Sequence, residues 1–383
     1  MPYKSSPLWH ELIADVTSLP DVPAQAAESY RSCRDELIRR VNAAILEHPS
    51  SGELTGSNPP YVVEDNHANH ATLMTCLYRL NDFRLLARLL PWVYRSYHAR
   101  GFSYDYFPMV LEAWKQALTD EAGITSPEPL LAPYDWILSH HDDIIRLAGD
   151  VSLTSLPANA RWSEEAEPLL AALLEGRREQ CIAVAREFVE SPRDLTHFYT
   201  AVVQPAMYRV GLLWETGEIS VAQEHLATSL VALVIAELYT RHFDPRKDKG
   251  LAIVSTPPGE LHQLGARMFA DLLDLDGWMV RFLGSDTPSE DLAKEIRDRP
   301  CDLIGLSGAI SFRLDQMRDT ISVIRESMAS EQPKIMVGGL AFDPLPELAG
   351  VIGADGYAPD AQAAVTLARQ WWNQNRNLRE PGS

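Results

Sequence analysis

The chain divides by the rhythm of its apolar residues. Over residues 1–150 apolar positions recur at helical spacing. That run is broken by Glu47-His-Pro-Ser-Ser-Gly-Glu-Leu-Thr-Gly-Ser-Asn-Pro-Pro60, whose composition predicts a loop. Residues 151–160 read as a linker. Four further helical patterns follow at 163–174, 177–190, 194–214 and 220–242. Their short connections predict an antiparallel four-helix bundle. Trp214-Glu-Thr-Gly-Glu-Ile-Ser220 separates the last two, with Gly217 as a stop and Ser220 and Gln223 as a capping box. After a polar hinge at 246–250 the rhythm changes. Short apolar runs predict strands at 251–256, 279–283, 303–308 and 334–338, a weaker one at 355–358, and helices between them. Such alternation predicts a parallel sheet covered by helices through right-handed crossovers. The expected fold class is α plus α/β: a helical N-terminal domain (1–150), a four-helix bundle (161–245) and a Rossmann-like five-strand domain (250–376).

Composition narrows the function. The chain has 383 residues and is 46% hydrophobic, enough for ordinary cores in two or three domains. No run of about 18 apolar residues stands out, so no membrane span is expected, and the first residues lack an apolar signal segment. Cys33, Cys76, Cys181 and Cys301 are scattered without disulfide or metal spacing, which fits a reducing cytoplasm. A net charge of −19 repels a phosphate backbone, and Arg39-Arg40, the 79–100 stretch and 246–249 are too sparse to reverse that. No nucleic-acid binding is expected. No Gly-x-Gly-x-x-Gly follows the first strand, which disfavours a nicotinamide dinucleotide. His140-His141 and His197 lie near no plausible nucleophile in the sequence, and no catalytic set is visible, so the chain is not expected to be an enzyme.

The candidate chemistry lies just after the first strand, in Thr256-Pro-Pro-Gly-Glu-Leu-His-Gln-Leu-Gly265. Open α/β sheets place ligands at the carboxyl ends of their strands. Here an imidazole, His262, follows a carboxylate, Glu260, with Leu261 between them and Gly265 three residues on. Imidazole suits mid-row transition metals, and a neighbouring carboxylate fixes its tautomer and raises its basicity. Gly265 removes a side chain where a large ligand would pass. An ordinary strand-to-helix loop with one polar histidine has the same composition.

These residues resemble the cobalamin-binding module of CarH-type cobalamin-dependent photoreceptors, a resemblance that extends over residues 161–376. Glu260-x-His262-x-x-Gly265 is similar to the cobalamin signature, with Glu in place of the usual Asp. Trp214, nine intervening residues and Glu224-His225 resemble the Trp-x9-Glu-His element of that family's bundle. Gly284-Ser-Asp-Thr-Pro288, Leu306-Ser-Gly-Ala-Ile-Ser311 and Val337-Gly-Gly339 resemble its later cofactor loops. The resemblance implies that His262 ligates cobalt from below and that Trp214 and Glu224 enclose a 5′-deoxyadenosyl group from above, with His225 beside them. It implies that Thr287 touches the cofactor edge and that Ser307, Ser311, Gly338 and Gly339 line the nucleotide tail. Read alone, Trp214 is also an ordinary core residue, Glu224-His225 a first-turn pair, and the later loops tight strand-to-helix turns. Where well-known members carry a light-state histidine ligand, this chain has Glu215. The DNA-binding domain of such repressors is replaced by residues 1–150.

That N-terminal block interleaves arginines with aromatics. Arg79, Arg88 and Arg95 offer forks for carboxylates, and Tyr94, Tyr97, His98 and Tyr104 offer walls for a flat conjugated ligand. A helical extension without a DNA-binding motif is similar to the photocobilins, a subfamily that pairs cobalamin with biliverdin. The same residues also suit a solvated arginine face over an aromatic dimer interface. His67 and His70 share a face if their segment is helical. The resemblance implies a light sensor for adenosylcobalamin, with biliverdin as a possible second chromophore, acting as a homo-oligomer (a dimer) that signals to a downstream partner. The alternative is a corrinoid methyl-carrier protein of a methyltransferase system.

Overall fold

The structure is a computed structural model, described here for residues 6–150, 163–242, 246–328 and 332–379. The linker expected at 151–160 lies outside the described residues. The chain forms two compact units: Met1–Leu156 together with Glu215–Glu218, and Pro157–Trp214 together with Ile219–Ser383.

The first unit is helical: α1 (Pro7–Val16), α2 (Ala24–Leu46), α3 (Ser51–Thr55), α4 (Pro60–Leu80), α5 (Arg84–His98), α6 (Tyr106–Asp120), α7 (Pro127–Ser139) and α8 (His141–Gly149). Proline opens α1, α4 and α7 at a position whose N–H would have no partner in the helix anyway. The stretch expected to be a loop at 47–60 contains α3. It folds because it has tertiary partners: Ser103 N–H donates to Leu54 O, and the Asn58 amide to Thr55 O and Arg100 O. The core is aromatic, with Tyr30, Tyr78, Tyr94, Tyr106, Trp114 and Tyr134 fully buried.

The second unit starts with the bundle: α9 (Glu167–Leu174), α10 (Arg178–Phe188), then α11 (Asp194–His197), a π-helical stretch (Phe198–Val203) and α12 (Gln204–Glu215) in one run, and α13 (Val221–His242). Gly217, at φ 76°, ends α12. The capping box forms as expected, with Ser220 N–H donating to Gln223 Oε1 (2.9 Å) and Gln223 N–H to Ser220 Oγ (3.3 Å). Against the expectation from the sequence, α13 is long and apolar enough, by length and composition, to cross a membrane. Its inner face (Ala227, Leu230, Val231, Val234, Ile235, Leu238) closes the bundle core, while Val221, Leu226 and Leu233 are exposed.

The sheet comprises β1 (Leu251–Ser255), β2 (Met279–Gly284), β3 (Leu303–Ser307), β4 (Lys334–Gly338) and β5 (Gly356–Ala358), all parallel, in the order β2-β1-β3-β4-β5. The inner strands are almost wholly buried, which is why they read as unbroken apolar runs. Helices α14 (Leu264–Leu275), α15 (Ser289–Asp298), α16 (Leu314–Ser327), α17 (Leu348–Val351) and α18 (Ala361–Arg379) complete the domain. Gly305 in β3 leaves space that Phe269 of α14 fills; a Cβ there would lie 2.5 Å from the ring. On its other side α14 joins the bundle core through Met268 and Leu272. Tyr199, in the π-helical stretch, donates to Asp271 Oδ2 of α14 (3.0 Å). The bundle therefore rests on the helix that begins two residues after His262.

Candidate functional site

The strand order reverses between β1 and β3. Chains leave these two neighbours toward opposite sides, and such a switch point opens a crevice at the carboxyl ends of the strands. The β1–α14 loop, carrying Glu260 and His262, lies there. It is tied down from three directions. Thr256 Oγ1 donates to Glu260 O (2.6 Å) and accepts from Asp286 N–H (3.0 Å). Asp286, left-handed at φ 54°, accepts from Gly259 N–H (2.7 Å). Ser255 Oγ donates to Thr287 Oγ1 (2.7 Å). Thr287, expected at the cofactor edge, thus also locks the loop after β2 to β1.

Glu260 is the hub. Its side chain is 1% exposed and all its hydrogen bonds point inward. Oε1 accepts from His262 N–H (2.9 Å) and faces His262 Nδ1 at 2.5 Å; Oε2 accepts from Ala309 N–H (2.8 Å) and Ile310 N–H (3.1 Å). The longer Glu suits this span, because it reaches the loop after β3 while still holding the imidazole two residues on. Burial pushes its carboxyl up, but the hydrogen bond and charge of His262 and the backbone donors outweigh burial and hold it below the usual range. A carboxylate only accepts, so Nδ1 carries the proton and Nε2 keeps its lone pair. The His262 side chain is 59% exposed, and Nε2 has no partner among the described residues. Its pKa is raised, first by the hydrogen bond to Glu260, against burial, with Glu224 adding to the rise and Arg313 opposing it.

The surroundings fit a flat macrocycle. Leu261 is 68% exposed, unusual for a leucine in an otherwise tied loop. Gly265 sits in the first turn of α14, where a Cβ would meet nothing closer than Ser307 Oγ at 3.7 Å. Neither its backbone nor its protein neighbours require glycine, which leaves space beside Ser307. Among the described residues no three His, Cys, Asp or Glu side chains converge on a metal. A corrinoid supplies its own equatorial nitrogens and needs one axial imidazole, which this arrangement provides.

Other sequence-chosen residues fall differently. Ser307 stays half-buried beside Gly265. Ser311 is buried and its hydroxyl donates to Ala341 O (2.9 Å), so it braces the loop and does not offer a free hydroxyl to a tail. Gly338 and Gly339 are required by the fold itself. A Cβ at 338 would lie 2.8 Å from Ala358 O; one at 339 would lie 2.3 Å from Gly308 O, at φ 94°. Trp214 is half-buried at the end of α12. Glu224 accepts from Thr228 Oγ1 (2.8 Å), and His225 stands exposed 3.6 Å from it. Glu215 is not available to a metal. Its carboxylate, 1% exposed, pairs with Arg95 Nη1 at 2.7 Å within the first unit.

In the first unit Tyr94 stacks on Phe107 at 3.6 Å and lies 6.3 Å from Tyr104, His98 stacks on Tyr104 at 4.2 Å, and Tyr97 packs on Phe107 at 5.5 Å. The aromatics do gather. Arg88 lies over Trp9, and Arg95 is held by Ala148 O (2.9 Å), Asp150 O (3.2 Å) and Glu215. His67 and His70 share a face of α4, bonded to Asn42 and Tyr106 and to Tyr134 respectively.

The sequence reading missed Asp286, Arg313 and the N–H groups of Ala309 and Ile310. Asp is among the residues that tolerate a left-handed backbone, but backbone donors carry no sequence signal.

Residues 165–239 and 250–366 match two families, each a B12 binding domain. Dimethylamine corrinoid protein 3 of Methanosarcina acetivorans is 30% identical over 168 residues, covering 43% of this chain and 76% of the relative. The HTH-type transcriptional repressor CarH of Myxococcus xanthus is 28% identical over 257 residues, covering 67% of this chain and 80% of the relative. The solved monomethylamine corrinoid protein of Methanosarcina barkeri aligns at a TM-score of 0.48 and 22% identity, over 54% of this chain and 98% of its own. The chain belongs to the B12-binding family of corrinoid proteins, and its bundle and parallel-sheet domain are the parts that carry the membership.

Proposed function

We propose that the chain is a light-sensing photoreceptor that binds adenosylcobalamin between its bundle and its sheet domain. Bound adenosylcobalamin supplies a light-labile cobalt–carbon bond. The observation that carries the reading is His262 itself, whose Nδ1 faces the buried Glu260 at 2.5 Å while Nε2 has no partner among the described residues. Glu224 accepts from the ribose hydroxyls, Trp214 walls the adenine, and His262 holds the metal. Loss of an upper group would withdraw the partners of Trp214 and Glu224, so α12 and α13 would settle differently, and a homo-oligomer interface or a surface for a signalling partner would change with them. Glu215 is held by Arg95 and would not serve the metal, whereas the exposed His225 would be free to do so after rearrangement. The chain performs no catalysis of its own. The deciding test is the absorption spectrum of the adenosylcobalamin-loaded protein before and after green light in air. An unchanged spectrum removes this reading, and His262→Ala should abolish cofactor retention without unfolding the protein.

Biliverdin as second chromophore rests on the aromatic cluster around Tyr94, Tyr97, His98 and Tyr104, with carboxylate partners that the scattered arginines would have to rearrange to supply. A far-red band retained after desalting the protein supplied with biliverdin supports it; its absence removes it.

A methyl-carrier role is the second reading. Relatives named as dimethylamine corrinoid proteins favour it, one of them covered over 97% of its length. That alignment spans only 55% of this chain and leaves the first unit without a counterpart role. Tighter binding of methylcobalamin than of adenosylcobalamin would select this reading.

A further inference from the structure

One short segment belongs to a different unit from the helices it joins. The chain leaves the second unit after Trp214, spends Glu215–Glu218 in the first, and re-enters the second at Ile219. In the second unit Ile219 N–H donates to Leu213 O (3.2 Å). That bond pinches the neck of the excursion, so the four residues are carried on the joint between α12 and α13. In the first unit they are gripped. Glu215 Oε1 accepts from Arg95 Nη1 at 2.7 Å, across 120 residues of sequence. The rest of the Arg95 fork is fixed in turn, Nε donating to Ala148 O (2.9 Å) and Nη2 to Asp150 O (3.2 Å). Gly217 completes the seat: at φ 76°, a Cβ on it would stand 3.0 Å from Ala99 O. The Arg95 and Glu215 side chains are only 9% and 1% exposed.

A buried ion pair adds little net stability over well-packed apolar residues of the same size. What it fixes is register, because a parted pair leaves an uncompensated charge in a dry interior. Arg95 therefore gives the turn one place to sit, and a shift of the joint parts the pair outright instead of bending it. The residues given above to the upper face of the cobalt flank this turn: Trp214 immediately precedes Glu215, and Glu224 lies in the first turn of α13. We propose that Arg95 and Glu215 form a clasp through which the first unit registers the upper face of a bound corrinoid. A bulky upper group seats Trp214 and Glu224 and keeps the clasp closed; without it the joint shifts and the clasp opens. Arg95 is then a positioning residue that acts through Glu215.

The clasp rests on the adenosylcobalamin reading, and the experiment separates the two. The probes are adenosylcobalamin and hydroxocobalamin, which differ only in the upper group, bound in the dark to the full chain. Hydrogen exchange is read by mass spectrometry over residues 95–102 and 147–150, with α2 as internal reference. In the wild type these segments should exchange roughly 10-fold faster with hydroxocobalamin than with adenosylcobalamin, a tenfold shift in local opening. The double variant Arg95→Met/Glu215→Met, with the pair replaced by apolar residues, should exchange alike with both. Glu215→Gln, which keeps an acceptor for Arg95 without the charge, should fold as the wild type does and show a reduced ratio. Tyr78→Phe, which removes a buried bond to Leu130 O (2.7 Å) elsewhere in the unit, should lower the melting temperature and keep the full ratio. Equal exchange in the wild type, a full ratio in the double variant or in Glu215→Gln, or a ratio lost in Tyr78→Phe overturns the clasp and leaves the cofactor site standing. The photoreceptor reading alone falls if the two corrinoids differ in exchange while green light leaves the spectrum unchanged. Failure of the wild type to retain either corrinoid overturns both.

Discussion

Replacing Glu260 tests the site at its hub, and two substitutions separate its two duties. Glu260→Ala removes the acceptor for the backbone N–H of His262, Ala309 and Ile310 and for Nδ1 of the ring. Bonds to a charged acceptor contribute about 1.5–3 kcal/mol each. The imidazole is more than half exposed, so its share is discounted for solvent screening. The two bonds across to the loop after β3 then set the scale, about 3 kcal/mol once water reaches the freed donors. For a unit of this size that is roughly 6–12 °C in melting temperature. Glu260→Gln behaves otherwise. Its carbonyl oxygen still accepts from Ala309 and Ile310, but its NH2 faces both the backbone N–H of His262, whose bond is lost, and Nδ1, where it drives the proton to Nε2, the atom that must ligate. Stability should fall little, while corrinoid affinity falls about 10- to 100-fold, the usual cost of losing a supporting partner behind a metal ligand. Thermal melts of the unliganded protein and cobalamin titrations measure the two effects independently. A Glu260→Gln variant that binds cobalamin like wild type would refute the reasoning, because the carboxylate would then not be setting the tautomer.

Three further outcomes follow from the same physics. Gly265→Ala should leave the melting temperature unchanged or raise it, since alanine favours a helix by about 0.5–1 kcal/mol and the Cβ has room, yet it should weaken corrinoid binding; Gly339→Ala, which clashes with Gly308 O at positive φ, should lower the melting temperature outright. In the first unit, burial lowers His67 to about 4 and His70 to about 3, so the stability they supply is complete above pH 6.5 and drains away as pH falls toward those values. His70→Phe should therefore move the acid-unfolding midpoint, followed by near-ultraviolet circular dichroism, to lower pH. Asp271 is raised to about 7 by burial, against the pull of Arg267, so its contribution is present below about pH 4 and is lost as pH rises to about 7. In Asp271→Asn that component should vanish, and the difference in melting temperature from wild type should grow in the variant's favour between pH 5 and pH 7.5.

Where sequence reasoning held, the pattern had one physical cause. The strands were readable almost to the residue because inner parallel strands bury both faces and keep no polar alternation. The break at Gly217 and the Ser220–Gln223 box were readable because caps are local chemistry. Where reasoning failed, partners far along the chain decided. Composition made 47–60 a loop, yet Ser103 and Asn58 supply the hydrogen bonds that let α3 form. The arginines of α5 stand apart, Arg84 and Arg95 eleven residues and about 16 Å along the helix. Each meets whatever its own height offers: Asp82 for Arg84, Ala148 O and Glu215 for Arg95. The π-helical stretch that presents Tyr199 to Asp271 uses residues as ordinary as those of the α-helices beside it.

The candidate site lies between these cases. The motif supplies the imidazole and its carboxylate two residues apart, so their pairing was legible. The other half of the Glu260 interaction, with the N–H groups of Ala309 and Ile310, spans 49 and 50 residues and involves no side chain on the receiving loop. Topology makes it necessary. Because β3 lies beside β1 on the side opposite β2, the loops after β1 and β3 flank the same crevice, and a carboxylate rooted in one can reach donors in the other. A shorter Asp at 260 would have to choose between the imidazole and the far loop, whereas Glu reaches both. Substituting Asp at this position should therefore keep the His262 contact and loosen the loop after β3, which is a stronger constraint on the chain than the two-residue motif alone expresses.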